Sequence, residues 1–150
     1  MRLSFSIITQ RQAEEIAYNW KYEGIYAFYD MVADQDDLKE FLDPQQRQDL
    51  VYAAIQNDDL IGFLTTSPSQ DGKSIEIGLG LKPDLTGKGM GVSFVEEGIA
   101  FIIRNYTPEL ITLAVAEFNQ RAIKVYEKAG FKRGTSFQQA TNGGYYRFGL

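Results

Sequence analysis

One stretch constrains this chain more than any other. The apolar run "IEIGLGL" (75–81) gives way to "KPDLTGKGMG", which sets Gly87, Gly89 and Gly91 at alternate positions. Next comes "VSFVEEGIAFIIRNY", with Val92, Val95, Ile99 and Ile102 or Ile103 on one face, a helix of about four turns. A second apolar run, "LITLAVAEF", is bounded by Pro108 and Asn119 and reads as a fully buried strand. Strand, helix and strand in this order make one β-α-β crossover with its two strands in the same sheet.

The rest of the chain supplies neighbours of a different kind. "LSFSII" (3–8) alternates as a strand, and "TQRQAEEIAYNW" follows as a helix capped by Thr9, with Ala13, Ile16, Ala17 and Trp20 at helical spacing. Residues 22–48 are aromatic and then acidic, and read as one or two short helices with loops. "LVYAAIQ" and "LIGFLTTS" flank Asn57-Asp58-Asp59 as strand, tight turn and strand, and "SQDGKS" turns the chain into the strand at 75–81. After the crossover, "NQRAIKVYEKAGF" reads as a short helix with Asn119 as cap and Gly130 as stop. "FKRGTSFQQ" and "YYRFGL" flank "ATNGG" as a hairpin. The expected order is β-α-(α)-β-β-β-α-β-α-β-β, an α+β (mixed α/β) fold with a largely antiparallel sheet. A length of 150 residues suits one domain spanning 1–150, enough to bury about 68–70% of the unfolded surface.

Composition removes whole classes of chemistry. The chain has no cysteine and no histidine, so disulfides, thiol nucleophiles, Cys/His zinc sites and histidine triads are excluded, and no metal is expected. Carboxylates, Tyr, Lys and Arg remain for proton transfer. No window reaches the roughly 18 apolar residues of a membrane span, and the amino terminus becomes charged too soon for a signal peptide. The expectation is a cytoplasmic protein with no membrane partner, and "NYT" at Asn105 carries no weight as a glycosylation sequon. The net charge of −5, with acids gathered between Asp30 and Asp59, argues against nucleic acid and mildly favours an amine-bearing partner.

The glycine loop fails two phosphate-binding patterns. A P-loop requires Gly-Lys-Ser/Thr, but Lys88 is followed by Gly89. A Rossmann fingerprint requires G-x-G-x-x-G, and here the third glycine comes one residue early, although Glu117 falls near the end of the next strand and keeps a dinucleotide reading open. What the loop does offer is backbone N–H groups free of side chains at a helix N-terminus, which suits a pyrophosphate. A glycine-rich turn that only lets strand and helix pack closely is the alternative.

The segment "FNQRAIKVYEKAGFKR" (118–133) adds the second half. Thr86-Gly87-Lys88-Gly89-Met90-Gly91 matches [QR]-x-x-G-x-[GA] at Gly89 and Gly91. Asn119, Arg121, Ala122, Tyr126, Glu127, Lys128, Gly130 and Phe131 match N-x-R-A-x-x-x-Y-E-K-x-G-F. At this spacing the two segments resemble the GNAT family of acetyl-CoA-dependent N-acetyltransferases, most strongly from Ile75 to Lys132. Thr86 departs from the pattern, standing where the family has Arg or Gln.

The resemblance implies a mechanism and a site. Gly80 and Leu81 should contact pantetheine along a strand splayed from its neighbour, while Gly87, Lys88, Gly89, Met90 and Gly91 should hold the pyrophosphate. Asn119 should cap its helix and reach the pantetheine side, with Ala122 and Lys128 also on the cofactor. The neutral amine of a small-molecule or peptide acceptor attacks the thioester, and Tyr126 should protonate the departing thiolate, as a phenol of pKa about 10 can. Glu76 is a candidate base, sharing a strand face with Gly78 and Gly80 beside an expected open cavity. The acceptor cleft should draw on Glu23, Tyr26 and Asp30, with Trp20, Tyr22, Tyr29, Tyr145 and Tyr146 nearby. A packed aromatic core is the competing reading for those rings. Two alternatives stay open, a non-catalytic acyl-CoA-binding or sensing module and a dinucleotide-binding protein. Oligomeric state, a homodimer included, is not legible.

Overall fold

The computed structural model describes residues 2–24, 26, 30, 35–139 and 143–150. Among them, seven strands form one sheet in the order β1-β2-β3-β4-β5-β7-β6. Their ranges are β1 Ser4–Ile7, β2 Val51–Gln56, β3 Asp59–Pro68, β4 Ser74–Leu81, β5 Leu110–Ala116, β6 Lys132–Gln139 and β7 Gly143–Gly149. Neighbours run antiparallel except β4 and β5, which are parallel, as the crossover requires. The helices are α1 Gln10–Asn19, α2 Gln35–Leu42, α3 Pro44–Arg47, α4 Gly91–Tyr106 and α5 Gln120–Lys128.

Local chemistry accounts for most boundaries. Thr9 opens α1 with a capping box: its hydroxyl accepts from the Gln12 N–H at 3.1 Å, and the Gln12 side chain accepts from the Thr9 N–H at 2.9 Å. Asn57 and Asp58 both hold positive φ (51° and 68°) in the tight turn between β2 and β3, a conformation their short polar side chains tolerate. Part of the expected terminal turn, residues 140–142, lies outside the described residues, although β6 and β7 pair on either side of it.

Two layers of apolar side chains cover the sheet. On one face Val95, Ile99 and Ile102 of α4 pack on Ile75 and Ile77 of β4 and on Ile111, Leu113 and Val115 of β5. Of the two isoleucines the periodicity left open, Ile102 is buried and Ile103 is 51% exposed. On the other face α1 buries Ala13, Ile16 and Ala17, with Trp20 and Phe41 against Phe63.

β5 departs from its expected full burial. Ile111, Leu113 and Val115 are buried, but Leu110 and Ala114 are exposed. For Ala114 the cause is the partner strand: β4 and β5 pair only at Ser74↔Leu110, Ile75↔Ile111 and Glu76↔Thr112. Past Glu76, β4 stays paired to β3 as far as Leu81 and β5 stays paired to β7 as far as Ala116, while the two part from each other. Ala114 therefore faces a gap in the middle of the sheet.

Candidate active site

The gap is the start of a groove of about 850 Å³. Gly78 to Leu81 of β4 and Leu113 to Val115 of β5 form its strand walls, the loop glycines its far end, and Tyr126 of α5 one side. Phe63, Asp30 and Asp37 line it from the opposite face of the sheet, so the groove passes through the sheet where the strands separate.

The glycine turn is shaped for an anion. Gly87 and Gly89 hold φ of 72° and 80°, which L side chains rarely adopt, and a Cβ on Gly89 would meet nothing within 4 Å. Glycine at 89 is therefore set by backbone conformation alone, and it leaves open space above the turn. Gly91 is required differently, because a Cβ there would stand 3.0 Å from Val125, where α4 and α5 approach each other. The N–H groups of residues 87–90 donate to nothing among the described residues, and Met90 supplies no side-chain cap to the 16-residue helix α4. An uncapped helix N-terminus with its dipole and free amides favours a phosphate group, so these residues fit the diphosphate that the resemblance implies. Lys88 is exposed in the same turn. Thr86 turns inward, its hydroxyl donating to the Pro83 carbonyl at 2.8 Å.

Asn119 caps α5 as its position suggests: its side-chain oxygen accepts from the Ala122 N–H at 3.0 Å. Asn119, Ala122, Tyr126 and Lys128 all line the groove. The Tyr126 ring is fixed edge-on against Phe131 and Phe148, with centroids 6.0 and 6.4 Å away.

The other candidates are distributed less simply. Gly80 and Leu81 lie on the part of β4 that has left β5, and the Leu81 carbonyl accepts from the Tyr22 hydroxyl at 2.9 Å. The space above Gly78 and Gly80 on the Glu76 face is taken by β3 side chains: a Cβ on Gly78 would meet the Thr65 hydroxyl, and one on Gly80 the Phe63 ring. Glu76 does not line the groove, whose β4 wall runs from Ile77 to Leu81 and includes both glycines. Glu76 itself is exposed at the last β4–β5 pair.

Of the acceptor candidates, Tyr26 and Asp30 line the groove, whereas Glu23 lines a neighbouring cavity of about 650 Å³ that shares Tyr22, Tyr26, Thr86 and Arg121 with it. Asp30 accepts from the Tyr22 backbone N–H at 2.8 Å. Trp20 is a core residue, as the competing reading had it. Tyr29 and the side chains of Tyr145 and Tyr146 lie outside the described residues.

Two charged groove residues received no role from the sequence. Asp37 of α2 adds a second carboxylate beside Asp30, and no short-range pattern could have brought it there. Arg121 did carry a signal: it stands in the first turn of α5, where the helix dipole disfavours a cation. Among the described residues no group of three or more metal-ligating side chains could hold a metal ion, and no helix is long and apolar enough to cross a membrane.

A family model described as an acetyltransferase (GNAT) domain matches residues 2–132. The fold is similar to that of a chimera of the spermidine N-acetyltransferase SpeG from Vibrio cholerae and hSSAT, with TM-score 0.79 and 18% identity over 100% of this chain and 95% of that one. It is also similar to the aminoglycoside acetyltransferase AAC(6')-Ib in complex with coenzyme A, with TM-score 0.76 and 20% identity over 99% and 94%. A GNAT-family acetyltransferase from Bacillus anthracis aligns at TM-score 0.77 and 16% identity over 100% and 95%. No curated protein sequence matches the chain.

Proposed function

Because the chain belongs to the GNAT acetyltransferase family, we propose that it is a single catalytic domain, spanning 1–150, that moves an acetyl group from acetyl-CoA to the nitrogen of an amine acceptor. The observation that carries this reading is the parting of β4 from β5 after Glu76, which opens a groove with the glycine turn at one end and Tyr126 along its side.

The chain's own residues divide the work. Amides of Gly87, Lys88, Gly89, Met90 and Gly91 hold the diphosphate, with the α4 dipole behind them. The free edge of β4 at Gly80 and Leu81 guides the pantetheine arm, and Asn119, Ala122 and Lys128 bound it from α5. Acetyl-CoA supplies the activated acyl group. The acceptor must shed its ammonium proton, to water or through water to Glu76, before its lone pair forms the new C–N bond. As the C–S bond breaks, the Tyr126 hydroxyl gives its proton to the thiolate and regains one from solvent, while the nitrogen, cationic once the C–N bond has formed, gives up a second proton to water, so amide, free thiol and one net released proton balance the reaction.

Two carboxylates in the groove, Asp30 and Asp37, and the Tyr26 ring favour an acceptor that carries positive charge. Several similar structures are of enzymes whose names give small polyamines or aminoglycosides as acceptors, and the proposed acceptor here is likewise a small molecule bearing amines.

The test is release of free CoA thiol from acetyl-CoA across a panel of small amines, with Tyr126→Phe alongside. The variant is expected to bind CoA as wild type does and to lose turnover by about 10²-fold, the scale of a lost general acid. No thiol release with any amine, or undiminished turnover in the variant, defeats the assignment.

A further inference from the structure

Lys88 is exposed in the turn, but the diphosphate site has no side-chain cation at position 86, where the resemblance would place an Arg or Gln. Thr86 is short, and its hydroxyl is committed to Pro83. The amides of the turn contribute only partial charges against a group with about two negative ones. Arg121 stands beside this deficit. Its Nη1 is 3.6 Å from where a Cβ on Gly87 would sit, and its guanidinium lies over the Tyr26 ring, 4.1 Å from the centroid.

Three features set this arginine apart from a solvated surface charge. It makes no ion pair among the described residues, although its guanidinium is held in place on a ring. It sits at the positive end of α5, a position that disfavours a cation unless an anion arrives to offset it. It also lines both the groove and the neighbouring cavity, so it stands in the wall between them, next to the glycine turn.

We propose that Arg121, seated over the Tyr26 ring, supplies a side-chain cation to the diphosphate site in place of the residue missing at position 86. This rests on the acetyl-CoA reading above. A planar guanidinium seated on an aromatic face keeps its outer N–H groups aimed in fixed directions, which suits paired phosphate oxygens. Because Tyr26 belongs to the segment after α1 and Arg121 to α5, the guanidinium is positioned by two separate parts of the chain.

The experiment measures Kd for CoA by calorimetry at low and high salt, for wild type, Arg121→Ala, Arg121→Gln, Arg121→Lys, Tyr26→Phe and Tyr26→Ala. A thermal melt for each variant separates weak binding from failure to fold, and Arg121→Gln keeps much of the stem while removing the charge. Losing the charge should weaken CoA binding about ten-fold or more, the scale of a charge-assisted hydrogen bond. It should also flatten the salt dependence, because a screened attraction has gone. Lysine should recover part of the affinity. Tyr26→Phe should bind as wild type does, whereas Tyr26→Ala should lose several-fold. If wild type binds CoA and folded Arg121→Ala and Arg121→Gln bind it within about two-fold of wild type, the inference is wrong and the acetyl-CoA reading stands. If wild type binds no CoA, the acetyl-CoA reading falls and this inference with it.

Discussion

Tyr22 donates its hydroxyl proton to the carbonyl of Leu81 at 2.9 Å, tying the segment after α1 to the last residue of β4. Asp30 reinforces the tie by accepting from the Tyr22 backbone N–H. The groove thus acquires a wall that a free β4 edge could not supply, and the wall is fixed at the end nearest the glycine turn.

This tie makes stability depend on alkaline pH. Burial, reinforced by the Asp30 charge and partly offset by Arg121, pushes the Tyr22 hydroxyl up to about 12. A folded value raised above the unfolded value near 10 means the contribution is complete below pH 10 and is lost as pH rises towards 12. Tyr52 is raised in the same direction by burial and its hydroxyl contact with Tyr106, so it adds to the same window. Urea unfolding of Tyr22→Phe should show a loss of about 1 kcal/mol at pH 8 from the missing hydrogen bond. The variant should also fall less steeply than wild type between about pH 10 and 12. Superimposable pH profiles for the two proteins would count against the tie.

Two glycines should respond to alanine for opposite reasons. A Cβ on Gly62 of β3 would stand 2.7 Å from both the Gly80 carbonyl oxygen and the Phe94 ring, so backbone must shift. Gly62→Ala should cost about 1–3 kcal/mol and, because Gly80 is displaced, weaken CoA binding too. Gly89→Ala has room for the methyl but not the conformation, and should cost about 1–2 kcal/mol through strain at positive φ. Thermal melts with and without CoA check both, and an unchanged Gly62→Ala would mean the β3–β4 contact is looser than it stands.

The fold was readable wherever a signal is local. Thr9, Asn119 and Gly130 mark helix ends through backbone hydrogen bonds within a few residues, and the β-α-β unit follows from periodicity alone. β5 was misjudged because an apolar run says nothing about a neighbouring strand that leaves it; Ala114 is exposed by what β4 does past Glu76. The resemblance groups Trp20 and Glu23 with the acceptor residues, yet Trp20 is buried in the core and Glu23 lines the second cavity. Asp37 enters the groove through the packing of α2, which no spacing rule encodes.

The cap on α5 should couple stability to catalysis. Asn119 fixes the helix that carries both Arg121 and Tyr126, and its side chain is nearly fully buried. Asn119→Ala should destabilise by about 1 kcal/mol, whereas Asn119→Ser, which can still accept from the Ala122 N–H, should cost a few tenths. Turnover with acetyl-CoA should follow the same ranking. Equal melting temperatures for the two variants would show that the cap contributes nothing.

Asp30 and Glu23 separate two routes for the acceptor. Asp30 lines the groove with Tyr126, while Glu23 opens only on the neighbouring cavity. Asp30→Asn keeps the oxygen that accepts from the Tyr22 N–H, so the wall should hold while the charge disappears. For a charged amine bound in the groove, the acceptor KM should rise by roughly three- to ten-fold, the scale of up to about 1.4 kcal/mol, with kcat little changed. Glu23→Gln should leave both constants where they were. The reverse result, a raised KM in Glu23→Gln alone, would place the acceptor's entry in the smaller cavity, next to the Arg121–Tyr26 pair and away from Asp30.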